Sequence, residues 1–277
     1  AKLGWKIEPE TWKGVCDFSR RLEIISQERV TSEIEKILTS NNPSYGLDLL
    51  RRSGCLKVIS GELYETTKIT QNKYHIGTVW EHTLEVIEKC KHKDTIVLWA
   101  ALLHDIGKLK TKTIDSSGAV HFISHAEEGA RMCDGILRRF KFPVADIKLI
   151  QTLVARHMDF KSYSPDLHDL KNKKIRKLQY QLGETQYWRL LDLVEADNMS
   201  HAPGYCIEGQ MKTLKERTLG MKTMFKYQLP ITGEDIMEVR KIEPGKLVKG
   251  YLDYCMKLAF VSPDITKDEL LRLLKNL

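Results

Sequence analysis

The chain has 277 residues, 42% of them hydrophobic, and its 44 basic against 37 acidic side chains leave a net charge of +7. That is enough apolar material for a sizeable core, and no apolar run reaches the roughly 20 residues of a membrane span. Six scattered cysteines with no Cys-x-x-Cys pair argue against a disulfide framework. No secretory leader is expected, since charge comes early and no small-residue cleavage site follows an apolar block. Reduced thiols in a cytoplasmic protein are the expectation. A pI of about 8.9 suits a phosphate-bearing partner without establishing one.

Nearly all of the chain reads as helix, and the fold is expected to be all-α. Glu8-Pro9-Glu10-Thr11 opens a helix over 8–26, because proline and flanking acids suit a first turn. Ser26 caps a second helix with Ile34, Ile37 and Leu38 inward, and Asn41-Asn42-Pro43 ends it. A short helix with Leu47, Leu49 and Leu50 stops at Ser53-Gly54, and residues 61–76 read as loop. Thr78 caps the next helix, where Val79, His82, Thr83, Val86 and Cys90 share a face. Residues 95–106 are apolar on every side from Ile96 to Leu103, the mark of a buried helix, yet they run into His104-Asp105-Ile106-Gly107-Lys108.

A polar turn, Asp115-Ser116-Ser117-Gly118, precedes a short strand or extended loop at 119–123. Ser124 or His125 then opens a helix through about Arg139, with Gly129, Met132 and Ile136 inward. Pro143 starts another, lined on one side by Ile147, Ile150, Leu153, Val154 and His157. Residues 161–173 read as loop. A helix over 185–200 carries Leu190, Leu193, Val194 and Asp197 on one face. A helix over 208–224 follows Pro203-Gly204, and two more follow Leu229-Pro230-Ile231-Thr232-Gly233.

Two ionisable groups at the end of a buried element cost several kcal/mol unless something pairs with them. A metal cation takes neutral imidazole and ionised carboxylate together. Adjacent residues on a helix diverge by about 100°, so His104 and Asp105 cannot enclose an ion alone. Other candidates on apolar faces are His82, His157 and Asp197, with His125 at a helix start. The steps from His82 to His104, His125, His157 and Asp197 are 22, 21, 32 and 40 residues. Each is about one helix–loop–helix, so successive members fall on successive helices of a bundle. His82, His104, Asp105 and Asp197 make a two-histidine, two-carboxylate set, and His125 and His157 are able to hold a second ion with Asp105 bridging. Any one of these histidines alone is more simply a hydrogen-bonded core residue, but six such groups would each need a separate partner. His125 and His157 serve alternatively as proton donors or phosphate contacts. Lys108 is either a solvated lysine at a helix end or a cation at the mouth of the site. His201, one turn after Asp197, is a candidate to support that ligand; His75, His92, His121 and His168 read as surface or structural.

His82, the His104–Lys108 block and Asp197 within Glu195-Ala196-Asp197-Asn198 resemble the HD-domain metal-dependent phosphohydrolases. The flanks Leu3–Thr11, Ser26–Val30, Thr232–Ile236 and Pro244-Gly245-Lys246 resemble neck, body and tail segments of bacterial CCA-adding tRNA nucleotidyltransferases and poly(A)-polymerase-like relatives. The resemblance implies an HD-domain helical bundle at 73–200, between a neck/body-like segment at 1–72 and a tail-like segment at 201–277. It implies one or two divalent ions (Mn, Ni, Co, Fe or Mg). Phosphodiesterase or phosphatase action is implied on 2′,3′-cyclic nucleotides, 2′-nucleotides or RNA 3′ ends, with Asp105, Lys108, His125 and His157 as catalytic candidates. The partners it implies are a nucleotide or RNA 3′ end, tRNA, and a second copy or a separate nucleotidyltransferase subunit, with no membrane. The family's nucleotide-adding head carries an Asp-x-Asp pair that this sequence lacks, so nucleotide addition is not carried over. The alternative is an RNA-holding module with a silent HD site, supported by the basic residues Lys171, Lys173, Lys174, Arg176 and Lys177 and by Arg138, Arg139 and Lys141.

Overall fold

In a computed structural model of the chain, residues 1–72, 74–75, 77–161, 167–207 and 209–277 are described. They form an all-α protein whose sole sheet among these residues is a two-stranded hairpin, and no helix among them is long and apolar enough to cross a membrane. Two compact units emerge, residues 1–161 with 188–208, and residues 162–187 with 209–277.

In the first unit, helix α1 (Pro9–Asp17) is followed by a 3-10 segment at Ser19–Ile24, so the expected single helix over 8–26 is in fact two pieces. Glu8 caps α1 by accepting from the backbone N–H groups of Glu10 and Thr11. Next come α2 (Gln27–Leu38), α3 (Pro43–Arg52), α4 (Cys55–Ile59) and α5 (Gly61–Thr66). The last corrects the loop expected from residue 61: Ser60 caps it from the Leu63 N–H, and Leu63 and Thr66 are buried. Helix α6 (Val79–Lys89) starts at a reciprocal cap, in which Thr78 accepts from the Glu81 backbone and Glu81 from the Thr78 backbone at 2.7 Å. Removing that cap with Thr78→Ala is expected to lower stability by about 1 kcal/mol, measured by urea unfolding; an unchanged midpoint would show that the cap is dispensable.

Helix α7 (Thr95–Leu103) is the unit's axis: Ile96 through Leu103 are all buried, and Trp99 meets the rings of Phe140 at 5.1 Å and Phe142 at 5.0 Å. Asp94 caps it. A tight turn through His104–Gly107 leads to the single helical turn α8 (Lys108–Thr111) and to the hairpin of β1 (Lys112–Ile114) and β2 (Val120–Phe122). Then α9 (His125–Arg139) and α10 (Val144–Arg156) pack against each other, and α10 packs on α7.

Helix α11 (Asn172–Asn198) is longer than the helix expected at 185–200, with a non-helical break at Gly183 (φ 69°, ψ 173°). The unit boundary falls within it. Its later half is tied to the segment between α6 and α7 by Lys91–Glu195 at 2.7 Å and Arg189–Asp94 at 2.8 Å, which sets the position of Asp197.

The second unit contains α12 (Gln210–Gly220), α13 (Gly233–Arg240), α14 (Lys246–Val261) and α15 (Lys267–Lys275). Ile231, Ile236, Val248, Cys255, Leu270 and Leu274 form its core. Reciprocal caps start α13 (Thr232 with Asp235) and α15 (Thr266 with Glu269). Residues 162–166 of the expected 161–173 loop, and residue 208 of the expected 208–224 helix, lie outside the described residues.

Candidate metal centre

The turn after α7 builds the centre. Lys108 N–H bonds to the Asp105 carbonyl at 3.0 Å, and the flanking bonds likewise span three residues. In such tight winding, side chains at i and i+3 eclipse. The Lys108 ammonium therefore lies on Asp105 itself, Nζ to Oδ2 2.6 Å, and is buried at 4% exposure. This corrects the expectation of a solvated lysine at a helix end. Its other partners are the Gln71 side-chain oxygen at 2.6 Å and the Phe122 ring at 5.3 Å.

His82 from α6, His104 after α7 and Asp197 from α11 bring one ligand atom each within 4.8 Å of one another, and so do Asp105, His125 and His157. The Asp105 carboxylate joins the two groups. Its Oδ2 lies 3.2 Å from His104 Nε2 and 3.8 Å from His82 Nε2, and its Oδ1 lies 3.4 Å from His125 Nε2 and 4.0 Å from His157 Nε2. Asp197 Oδ1 is 3.0 Å from His82 Nε2 and 3.9 Å from His104 Nε2. All six expected side chains thus gather at one place, from four helices and the turn after α7.

The backbone sets the tautomers. Each Nδ1 faces a carbonyl oxygen: His82 that of Ser200 (3.3 Å), His104 that of Ala101 (2.8 Å), His125 that of Phe122 (2.8 Å) and His157 that of Val154 (2.7 Å). A carbonyl only accepts, so each Nδ1 carries a proton, and in the neutral ring Nε2 offers a lone pair. Those lone pairs point at carboxylate oxygens and at one another; His125 Nε2 and His157 Nε2 are 3.2 Å apart. His104 Nε2 is buried without a hydrogen-bond partner. Acceptors facing acceptors in a dry interior call for a cation among them. Neutral imidazole and carboxylate are the donor set of borderline divalent metals, so these residues fit such an ion.

The charge states differ across the centre. Burial pushes His157 down to about 3, aided by the adjacent His104 and His125 rings, and burial also lowers His125. For His104 burial acts the same way, but the Asp105 and Asp197 carboxylates outweigh it and raise the imidazole. Burial opposes the charge on Asp105 and Asp197, yet Lys108 and His104 for the first, and His82 and His104 for the second, hold both carboxyls well below the usual range.

Two contributors escaped the sequence reading. Gln71, in an irregular segment, anchors Lys108 through its oxygen while its amide donates to the Thr78 carbonyl at 3.2 Å. His75, read as surface or structural, packs its ring 4.4 Å from His82 and 4.8 Å from His201. His201 stands 6.1 Å from His82, ring to ring. His92 and His121 lie at the exposed surface, paired with Asp192 and Asp115. Among the basic residues considered for RNA, Arg176 donates to the Phe260 and Val261 carbonyls, Arg138 pairs with Asp134 and Arg139 with Glu62. Those three are engaged in internal structure.

Comparison with known proteins bears on the same segments. Residues 73–200 match the HD domain family, and residues 4–65 match the family described as the probable RNA- and SrmB-binding site of polymerase A. The chain is 33% identical over 166 residues to the A-adding tRNA nucleotidyltransferase of Deinococcus radiodurans, covering 56% of this chain and 38% of that protein. It is 32% identical over 174 residues to the CC-adding tRNA nucleotidyltransferase of Thermus thermophilus, covering 57% and 39%. A multifunctional CCA protein of Pseudomonas fluorescens is 32% identical over 163 residues, again covering 57% and 39%. The chain thus joins a poly(A)-polymerase-type segment to an HD domain, and over more than half of its length it is similar to tRNA nucleotidyltransferases while spanning under two fifths of theirs.

Proposed function

We propose that this chain is a metal-dependent phosphoric ester hydrolase acting on 2′,3′-cyclic nucleotides, 2′-nucleotides or the 3′ ends of RNA. His82, His104, Asp105 and Asp197 would hold the ion, with His125 and His157 on the far side of Asp105. A divalent ion held there supplies Lewis acidity to a phosphoryl group and makes water acidic enough to attack phosphorus near neutral pH. The chain's own part is to turn the four Nε2 atoms toward the carboxylates through the backbone bond of each Nδ1 and to exclude water around two carboxylates. Of the imidazoles, His125 is the more accessible, with its side chain 12% exposed against 1% for His157. That puts His125 in reach of the substrate, where its Nε2 lone pair would take a proton from the attacking water and the imidazolium so formed would give it up to the leaving oxygen.

The observation that carries this reading is the convergence of the imidazole Nε2 atoms on the Asp105 carboxylate. It is tested with Asp105→Asn, assayed on 2′,3′-cAMP with Mn²⁺, Ni²⁺ or Mg²⁺ supplied. Turnover is expected to fall at least a hundredfold, and undiminished turnover sinks the proposal. A second reading, an RNA-holding module with a silent HD site, is favoured by the match over residues 4–65. It would prevail if no phosphoester were hydrolysed with any metal while tRNA bound tightly and lost affinity steeply with salt.

A further inference from the structure

We propose that Tyr205, set against Tyr74 on the His82 side of the centre, is a stacking platform for the nucleobase of the substrate, so that the site selects phosphoesters that carry a base over those that do not. The inference rests on the hydrolase reading above and names a specificity-determining residue for it.

Two chain segments flank His82. One is residues 74–75, where the His75 ring lies 4.4 Å from that of His82. The other is the turn after α11, which brings the His201 ring to 4.8 Å from His75 and 6.1 Å from His82. Backbone bonds tie the two segments together. Ala202 N–H donates to the Tyr74 carbonyl at 2.9 Å, and Tyr205 N–H donates to the Ala202 carbonyl at 2.9 Å. Ile207 N–H donates to the Asn198 side-chain oxygen at 3.2 Å. The turn that carries Tyr205 is thereby anchored at both ends, to the end of α11 and to the residue before His75. The Tyr205 ring meets that of Tyr74 at 4.9 Å, edge to face at 82°.

A single exposed aromatic is ordinary on a protein surface. Tyr205 differs in its setting. Its ring is 40% exposed although its backbone is pinned, so a ligand reaches it without a loop having to be ordered first. The Lys161 ammonium, on an exposed residue, lies 5.8 Å from the centre of the Tyr74 ring. That places positive charge on the same flank, which suits a phosphorylated ligand. Aromatic rings with a neighbouring cation hold nucleobases with little regard to their identity, because every base has a π-face. A phosphoester with no base gains nothing from such a surface.

The test is steady-state kinetics of the full chain with Mn²⁺ on 2′,3′-cAMP and on glycerol 1,2-cyclic phosphate, which presents a like cyclic ester with no base. Tyr205→Leu is expected to raise KM for 2′,3′-cAMP about tenfold, within the roughly 5- to 140-fold that corresponds to one lost base–aromatic stack. Its kcat should stay within about twofold of wild type, as for lost uniform binding, and its KM for the baseless ester should not move. Tyr205→Phe, which keeps the ring, should match wild type on both. An oligoribonucleotide ending in a 2′,3′-cyclic phosphate separates the two sources of a base. A KM rise on it as well assigns the platform to RNA ends, and a rise confined to 2′,3′-cAMP assigns it to free nucleotides. An unchanged KM for 2′,3′-cAMP in Tyr205→Leu overturns the proposal, and so does an equal rise on the baseless ester, the sign of a distorted centre. Should wild type turn over no substrate, the hydrolase reading fails and calorimetric binding of 2′-AMP decides this one. Binding weakened in Tyr205→Leu but not in Tyr205→Phe upholds the platform, and equal or absent binding overturns it.

Discussion

Asp105→Ala is expected to destabilise the metal-free protein by about 3–5 kcal/mol, the range for breaking a buried ion pair from one side. The reason is what it leaves behind. Lys108 is 4% exposed and has two polar partners among the described residues, Asp105 and Gln71. Without the carboxylate a full ammonium charge stays in a dry site with one neutral acceptor. Replacing the lysine as well removes that stranded charge, so Asp105→Ala with Lys108→Met should recover a large part of the loss. The double variant should nevertheless bind a divalent ion less tightly than wild type, because the shared ligand is still missing. Chemical denaturation in the presence of a chelator gives all three stabilities. Additive losses, with the double variant the least stable, would mean that Lys108 and Asp105 do not depend on each other and that the pair is incidental to the fold.

What the amino-acid pattern reveals of this centre follows from where its residues sit. His82, His157 and Asp197 lie on or at the end of helices whose other inward positions are mostly apolar, so a histidine or aspartate at a core position stands out by periodicity. His104 and Asp105 stand out because the eight residues before them are all buried and apolar. Lys108 was visible as a residue but not in its role. Its burial depends on the chain winding more tightly than an α-helix after Leu103, and nothing in His-Asp-Ile-Gly-Lys specifies i→i+3 bonds over i→i+4. Gln71 and His75 lie in an irregular segment with no period to mark an inward face, near an isolated bridge that pairs Thr70 with Thr78 at the start of α6. The break at Gly183 was hidden for a similar reason. A lone glycine within a helical pattern is tolerated often enough that it does not announce a positive φ.

The second large effect is expected at a residue with no side chain. A Cβ placed on Gly107 would lie 2.0 Å from the His125 carbonyl oxygen, 2.5 Å from the Gly129 nitrogen and 3.0 Å from the Gly129 Cα. All three are backbone atoms, so no rotamer change relieves the clash. The φ of Gly107 is −65°, which any residue adopts, so its requirement is space and not conformation. Gly129 answers it from the other side, since a Cβ there would meet the Gly107 nitrogen and Val154 Cγ1, each at 3.3 Å. The two glycines let the first turn of α9 lie directly against the turn that carries His104, Asp105 and Lys108. His125 is the first residue of α9, so that contact sets the 3.4 Å between its Nε2 and Asp105. Gly107→Ala must push α9 outward or distort the turn. Overpacking of this kind costs about 1–3 kcal/mol and sometimes more, and here the upper part of that range is expected because backbone has to move. Thermal unfolding measures the loss. The displacement should also weaken Mn²⁺ binding, since His104 and Asp105 sit on the same distorted turn. A Gly107→Ala protein with wild-type melting behaviour and wild-type metal affinity would show that α9 does not approach the turn so closely, and the spatial relation between His125 and Asp105 would have to be redrawn.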